Sequence, residues 1–305
     1  SWSKDLRENG GYADLRSTGG KVYRRAGRVD HLTRDMNVLE KLRLWTRQSD
    51  GSNPYVEAFW KWWPELSRNL TELRVTGGEP LLSPDFWKLV ERFQTERPNV
   101  RLAVNSNLGV KTESIDRLAQ AARELPTLEV YTSCEAFGAA AEYIRDGMDY
   151  RQWRDNVFKL HRAGVRKIHV MMTINALCLF SLTDLFDDIL SWRHELDPEI
   201  GSFTLNFLRF PAFQNVLVLP EETRRERARH LTAWLDRQKS EPYLYDMEIA
   251  EIRRLVEYLE KVPRAHDREP ARRVLWDDFQ SFYRQYDIRR GKSLADAIPA
   301  LSSVR

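Results

Sequence analysis

The sequence predicts an α/β fold, a parallel sheet with helices on its outside. Three observations predict it. Between residues 70 and 211, short apolar runs alternate with segments of helical periodicity. Each strand-plus-helix unit is about 30 residues long, the length of a right-handed βαβ crossover. Each apolar run then ends in small polar residues, the pattern of a parallel sheet whose carboxyl ends form one mouth.

The elements follow in order. The first thirty residues are polar, carry Gly10-Gly11 and Gly19-Gly20, and read as irregular. Met36, Leu39, Leu42 and Leu44 give a helical pattern from about Asp35 to Trp45, and Ser49 to Pro54 is a turn cluster. Tyr55 to Leu66 reads as a helix rich in aromatics, with Phe59, Trp60, Trp62 and Trp63. Such residues can stack on bases, but more often they pack a helix on a core. Leu70 to Val75 is the first strand. Ser83-Pro84-Asp85 opens a helix with an N-cap serine, a proline at its first position and an early carboxylate. Phe86, Leu89, Val90 and Phe93 form its buried stripe.

Strands at Val100 to Val104, Leu128 to Thr132, Val165 to Thr173 and Phe203 to Leu208 alternate with helices at Thr112 to Leu125, Tyr150 to Ala163 and Leu182 to Leu196. Gly164 stops the second of these helices. After Pro211 only helical patterns remain, over Glu221 to Lys239, Asp246 to Lys261 and Arg272 to Tyr286. The chain therefore divides into residues 1–211, the α/β part, and residues 212–305, a helical C-terminal extension.

Composition bounds the function. The 305 residues are 42% hydrophobic and 30% charged, enough for one large domain or two modest ones. A net charge of +3, with both signs interspersed, is a weak pointer to nucleic acid. No apolar run is long enough to span a membrane and no secretory core is visible, so a cytoplasmic location without membrane contact is expected. The two cysteines, Cys134 and Cys178, are far apart in sequence and read as small buried hydrophobes. The residues themselves supply no metal site and name no catalytic group.

The candidate site is the mouth. Polar residues close the successive strands at Gly77-Gly78-Glu79, Asn105-Ser106-Asn107, Thr132 to Glu135, Thr173 to Asn175, and Asn206. Strands often end in turn formers, so any one of these is weak alone. Five in register point to a ligand. Two glycines let a backbone approach that ligand, and Pro80 fixes the chain on its way out.

Gly77-Gly78-Glu79-Pro80 resembles the Gly-Gly-Glu-Pro motif of radical S-adenosylmethionine (radical SAM) enzymes. Asn105-Ser106-Asn107 sits where relatives carry a Thr-Asn-Gly type turn. Ser133 to Gly138 sits where they carry a Ser-Ile-Asp-Gly type turn, and Tyr143 to Gly147 follows as in relatives. The resemblance covers roughly residues 32 to 211. It implies a partial (β/α)6 TIM-like barrel whose first strand and cluster loop are missing. By the same resemblance Gly77, Gly78, Glu79 and Pro80 hold the amino group of S-adenosylmethionine. Asn105, Ser133, Glu135 and Arg145 become ribose or carboxylate contacts, with Asn175 and Asn206 carried over more weakly. Arg145 suits a carboxylate through its fork of donors; the other reading is a surface ion pair with Asp146 or Glu142. Phe279 to Lys292 is similar to the C-terminal tail of SPASM and twitch relatives, and equally reads as an amphipathic helix ended by Gly291.

The departure from the family is the cluster. Relatives bind a [4Fe–4S] cluster through a Cys-x3-Cys-x2-Cys loop, and two isolated cysteines cannot supply it. Ser1-Trp2-Ser3-Lys4-Asp5 looks like the stretch downstream of that loop, so a fragment beginning past the cluster is expected. The intact relative would cleave S-adenosylmethionine reductively and form a 5′-deoxyadenosyl radical. It would take electrons from a flavodoxin- or ferredoxin-type donor and abstract hydrogen from a substrate, a peptide in the commonest SPASM theme. The fragment alone would be inactive. Two other readings stand beside this one: a cluster-free binding or scaffold protein, and an RNA-binding protein using the Trp-rich helix and Arg-rich tail.

Overall fold

A computed structural model of the chain describes residues 9–17, 53–261 and 269–303. The helix expected near residues 35–45, Gly19-Gly20 and the stretch from Ser1 to Asp5 lie outside the described residues. Five strands, β1 (Glu72–Val75), β2 (Arg101–Asn105), β3 (Leu128–Ser133), β4 (Lys167–Ile174) and β5 (Ser202–Phe207), form one sheet. They lie in chain order and every pair is parallel.

Residues paired across a parallel ladder share a face. Val75, Val104, Val130 and Ile168 form one apolar row across β1 to β4. The opposite face carries Arg74, Ala103, Glu129 and Lys167 in one row and Asn105, Tyr131, His169 and Ser202 in the next. Period-two alternation thus makes the sheet two-sided: an apolar face for helices and a polar face opposite.

Helices cover the apolar face. α1 (Pro54–Asn69) precedes β1, and its N-cap Asn53 accepts the Tyr55 N–H. Of its aromatics, Trp63 is buried and gives its indole N–H to Glu96 at 2.7 Å; Phe59 and Trp60 are half-buried, and Trp62 stays exposed. α2 (Pro84–Glu96) buries Phe86, Leu89, Val90 and Phe93, the expected stripe, although the Ser83 side chain makes no capping bond. α3 (Thr112–Glu124), α5 (Tyr150–Arg162) and α6 (Leu182–Glu195) follow β2, β3 and β4. Each large apolar side chain buried this way is worth roughly 1.5–3 kcal/mol. A short helix, α4 (Gly138–Ile144), precedes α5. Its Ala-rich turn favours helix but is too brief to show periodicity. Asp149 caps α5 by accepting the Gln152 N–H at 2.8 Å, and Gly164 at φ +94° ends it.

The helices after the sheet lie against it. α7 (Glu221–Arg237) and α8 (Asp246–Glu260) pack on each other, and α8 runs along β5. Glu248 accepts the Phe203 N–H and Glu251 the Leu205 N–H, while Arg254 donates to the Leu205 carbonyl. The outer edge of β5 is therefore closed by side chains, a defence against strand addition. At the other edge, Arg101 N–H bonds to Thr71 O, so residues 71, 73 and 75 of that segment face β2. The backbones of Glu72 and Arg74 point outward and have no such partner among the described residues. α9 (Glu269–Arg290) and α10 (Leu294–Ala297) complete the described fold. Among the described residues no helix is long and apolar enough to cross a membrane.

His169 illustrates the cost of the polar face. It is buried between Ser202 Oγ at 2.9 Å and Thr204 Oγ1 at 3.0 Å. Burial lowers its pKa to about 4, helped by the charges of Lys167, Arg74 and Arg193. The folded state thus refuses a proton that the unfolded chain accepts. Stability should be level above about pH 6.5 and fall by about 2–3 kcal/mol as pH drops to 4. Urea midpoints across that window should show the fall, and His169→Gln should flatten it. An unchanged slope in the variant would assign the acid sensitivity to other groups.

Candidate cofactor site at the carboxyl mouth

The carboxyl ends of β2 to β5 open on a cavity of about 470 Å³. Asn107, Glu135, Arg145, Thr173 and Asn175 form one wall, with Asp149 and Gln152 from the start of α5. Tyr283, Tyr286 and Arg290 of α9 form the other. The central feature is an ion pair. Glu135 is buried, and its Oε2 accepts Arg145 Nη2 at 2.5 Å and Arg145 Nε at 2.9 Å. Burial pushes the Glu135 carboxyl up, and the Arg145 guanidinium pulls against it.

The surrounding loops are set by side chain-to-backbone bonds. Asn175 Oδ1 accepts Leu177 N–H at 2.9 Å and Cys178 N–H at 3.2 Å, which folds the turn after β4. Asn107 Oδ1 accepts Gly109 N–H at 2.7 Å. Between them in sequence, Leu108 adopts φ +56° while wholly buried, and its carbonyl accepts Asn156 Nδ2 at 2.9 Å. An aliphatic residue in the left-handed region costs roughly 1–2 kcal/mol. The loop holds it because Ser106, Asn107 and Asn156 satisfy the backbone around it.

Gly77 and Gly78 sit at φ +90° and +47°. A β-carbon at either would meet nothing within 4 Å. Glycine is needed there for the backbone conformation, and the space in front of the loop is open. That space belongs to a second cavity of about 510 Å³, which the pair shares with Glu79, Pro80 and the aromatic side of α1, Tyr55, Phe59 and Trp60. Glu79 joins the two sites. Its Oε1 accepts Leu81 N–H at 3.3 Å and its Oε2 accepts Asn107 N–H at 3.0 Å. The loop after β1 is thereby fixed to the loop after β2, and the Glu79 carboxylate is committed to backbone.

The ten residues expected at the site fall into three groups. Glu135, Arg145 and Asn175 share the first cavity, and Gly77 to Pro80 share the second. Asn105, Ser133 and Asn206 line neither cavity. Asn105 Nδ2 contacts Met171 Sδ at 3.7 Å on the polar face, and Asn206 is exposed on β5. Sequence reasoning missed the α9 wall, because nothing near Tyr283 or Tyr286 marks them as close to the sheet mouth.

Arg145 does not take either partner expected for a surface pair. Asp146 is engaged by Arg290 and Lys292, and Glu142 accepts the Tyr150 N–H. Both cysteines are buried thiols, hydrogen-bonded to the Ala136 and Asn175 carbonyls. Burial raises Cys134 to about 12 and raises Cys178 as well. Such thiols do not fit an iron–sulfur cluster, which binds thiolates. Among the described residues no group of three or more His, Cys, Asp or Glu could hold a metal ion.

No curated protein and no solved structure matches the chain. The sequence profile of the Radical SAM superfamily matches residues 56–189. The matched span runs from α1 into α6 and contains Gly77 to Pro80, Glu135, Arg145 and Asn175. A Radical SAM superfamily domain is therefore found at residues 56–189 of this chain.

Proposed function

We propose that this chain binds S-adenosylmethionine across the carboxyl mouth of its sheet, as the cofactor-binding part of a radical SAM enzyme. The observation that carries the reading is the buried Glu135–Arg145 pair on the wall of a 470 Å³ cavity, one loop away from an open diglycine backbone. The donor set suits the cofactor. Arg145 spends Nε and Nη2 on Glu135, and its remaining guanidinium N–H groups suit the cofactor carboxylate. The Glu135 carboxylate and the Asn175 amide suit ribose hydroxyls. The Gly77-Gly78 backbone is the cradle for the α-amino group. Tyr283 and Tyr286 supply an apolar wall that keeps water from the bound nucleoside.

When bound beside a reducing [4Fe–4S] cluster, S-adenosylmethionine supplies a C–S bond that one electron can break, and thereby hydrogen-abstraction chemistry. The two cysteines here do not fit that cluster, so its thiolates would come from outside these 305 residues. Among the described residues the backbone of Glu72 and Arg74 has no strand partner on its outer side, which supports the same view, since a further strand could add at that edge. The cysteine count equally favours a second reading, a protein that binds the nucleotide without cleaving it.

Calorimetry with S-adenosylmethionine tests the proposal. The wild-type chain should bind, and Gly78→Val should weaken binding by about tenfold or more, because valine at φ +47° is strained by roughly 1–2 kcal/mol and its branched side chain fills the cradle. Equal affinity in the two proteins would remove the diglycine loop from the site. Release of 5′-deoxyadenosine from this chain with a reconstituted cluster and reductant would overturn the assignment of the thiolates to an outside source.

A further inference from the structure

The segment Asn9 to Ser17 has little regular structure, yet one stripe of α9 holds its backbone at Gly10, Gly11, Ala13, Arg16 and Ser17. Asp278, which is fully buried, accepts Arg16 N–H at 2.8 Å and Ser17 N–H at 2.7 Å. Gln285 bonds Ala13 twice, its Oε1 accepting the N–H and its Nε2 donating to the carbonyl, both at 2.9 Å. Arg289 donates to Gly10 O at 3.0 Å and Gly11 O at 2.8 Å. Tyr12 and Leu15 are the buried anchors, and the Tyr12 ring lies 4.4 Å from that of Phe282. Residues 278, 282, 285 and 289 recur at helical spacing and make one face.

The neighbouring stripe of the same helix, Tyr283, Tyr286 and Arg290, lines the first cavity. That side of α9 is tied to α4 and the turn after it. Tyr286 Oη donates to Tyr143 O at 2.9 Å, Tyr143 Oη donates to Asp287 at 2.7 Å, and Lys292 donates to Glu142 O at 2.7 Å. Arg290 and Lys292 both pair with Asp146, the residue next to Arg145. Contacts therefore run without a break from the N-terminal segment, through α9, to the turn that carries Arg145 onto Glu135.

We infer that residues 9–17 are a latch that holds α9 as the wall of the cavity, so that affinity at the site is set by a segment that does not line it. Asp278, Gln285 and Arg289 are positioning residues in this arrangement. Six of their bonds go to main chain, and Asp278 also accepts the Ser17 hydroxyl. Tyr12 and Leu15 are the buried side-chain anchors, and Arg16 adds an ion pair with Asp277. The effect on affinity rests on the S-adenosylmethionine reading above; the mechanical effect does not.

The test uses the full chain with Tyr12→Ala and Leu15→Ala together, and separately Gln285→Ala, none of which touches the cavity. Amide exchange is measured over residues 142–149 and 283–292, and S-adenosylmethionine affinity by calorimetry. Either variant should speed exchange in both segments and weaken the ligand by about fivefold, the usual size of a coupling between sites. The triple variant should do little more than either, since one latch is broken once. Unchanged exchange over residues 142–149 in a folded variant would overturn the latch, whatever the ligand does. A wild-type chain that binds no S-adenosylmethionine would overturn the functional reading, and the exchange data would still decide the latch.

Discussion

Arg193→Met is expected to lower the stability of the fold by about 3–5 kcal/mol, the cost of breaking a buried ion pair from one side. Arg193 on α6 and Glu248 on α8 are both fully buried, and their two contacts are 2.6 and 2.8 Å. Among the described residues no other cation pairs with Glu248. Arg193 also donates to the carbonyls of Ile200, Gly201 and Tyr243, and Glu248 also accepts the N–H of Phe203 and Tyr245. The pair therefore joins α6, the edge of β5 and the entry to α8 in one polar knot. Replacing both charges with apolar residues often restores stability at buried pairs. Here it should restore only part, because three carbonyls and two N–H groups lose partners in the double variant. Urea denaturation would read both effects, and a loss under about 1.5 kcal/mol in the single variant would show that water reaches the vacated site.

Much of the fold is legible in the sequence, and the reason is periodicity. Phe86, Leu89, Val90 and Phe93 fix the inner face of α2 without any tertiary information, and all four are buried. Gly164 and Gly291 adopt the positive φ that stops a helix. The strand ends polar at the mouth are also legible, and three of them reach the first cavity together. What the sequence does not reveal is contact between distant segments. Arg145 has two acidic neighbours within three residues, yet burial of Glu135 ten residues away decides its partner. Glu79 carries the motif that suggests a ligand, yet both its oxygens are taken by backbone N–H groups. The Arg193–Glu248 pair and the α9 wall bridge 55 and more residues, and no local pattern encodes either.

Arg145→Ala should lower S-adenosylmethionine affinity by about 10- to 100-fold, the range for a charge-assisted hydrogen bond to a ligand carboxylate, and it should also give the protein a new dependence on pH. In the wild type, burial already raises the Glu135 carboxyl while Arg145 holds it down. Without the guanidinium, burial is opposed only by a backbone hydrogen bond at Thr173, and the carboxyl rises further. The folded variant then keeps a proton that the unfolded chain gives up near pH 4.3. A raised carboxyl contributes its stability below the unfolded value and loses it as pH climbs toward the folded one. The variant should therefore stand close to wild type near pH 4 and fall progressively behind it toward neutrality. Glu135→Gln combined with Arg145→Ala removes the titrating group, so its deficit should not vary with pH. Urea midpoints at pH 4.5 and 7.5 separate these outcomes. A pH-independent deficit in Arg145→Ala alone would mean that Glu135 is reached by solvent once its partner is gone, and the cavity wall would then be far looser than its packing implies.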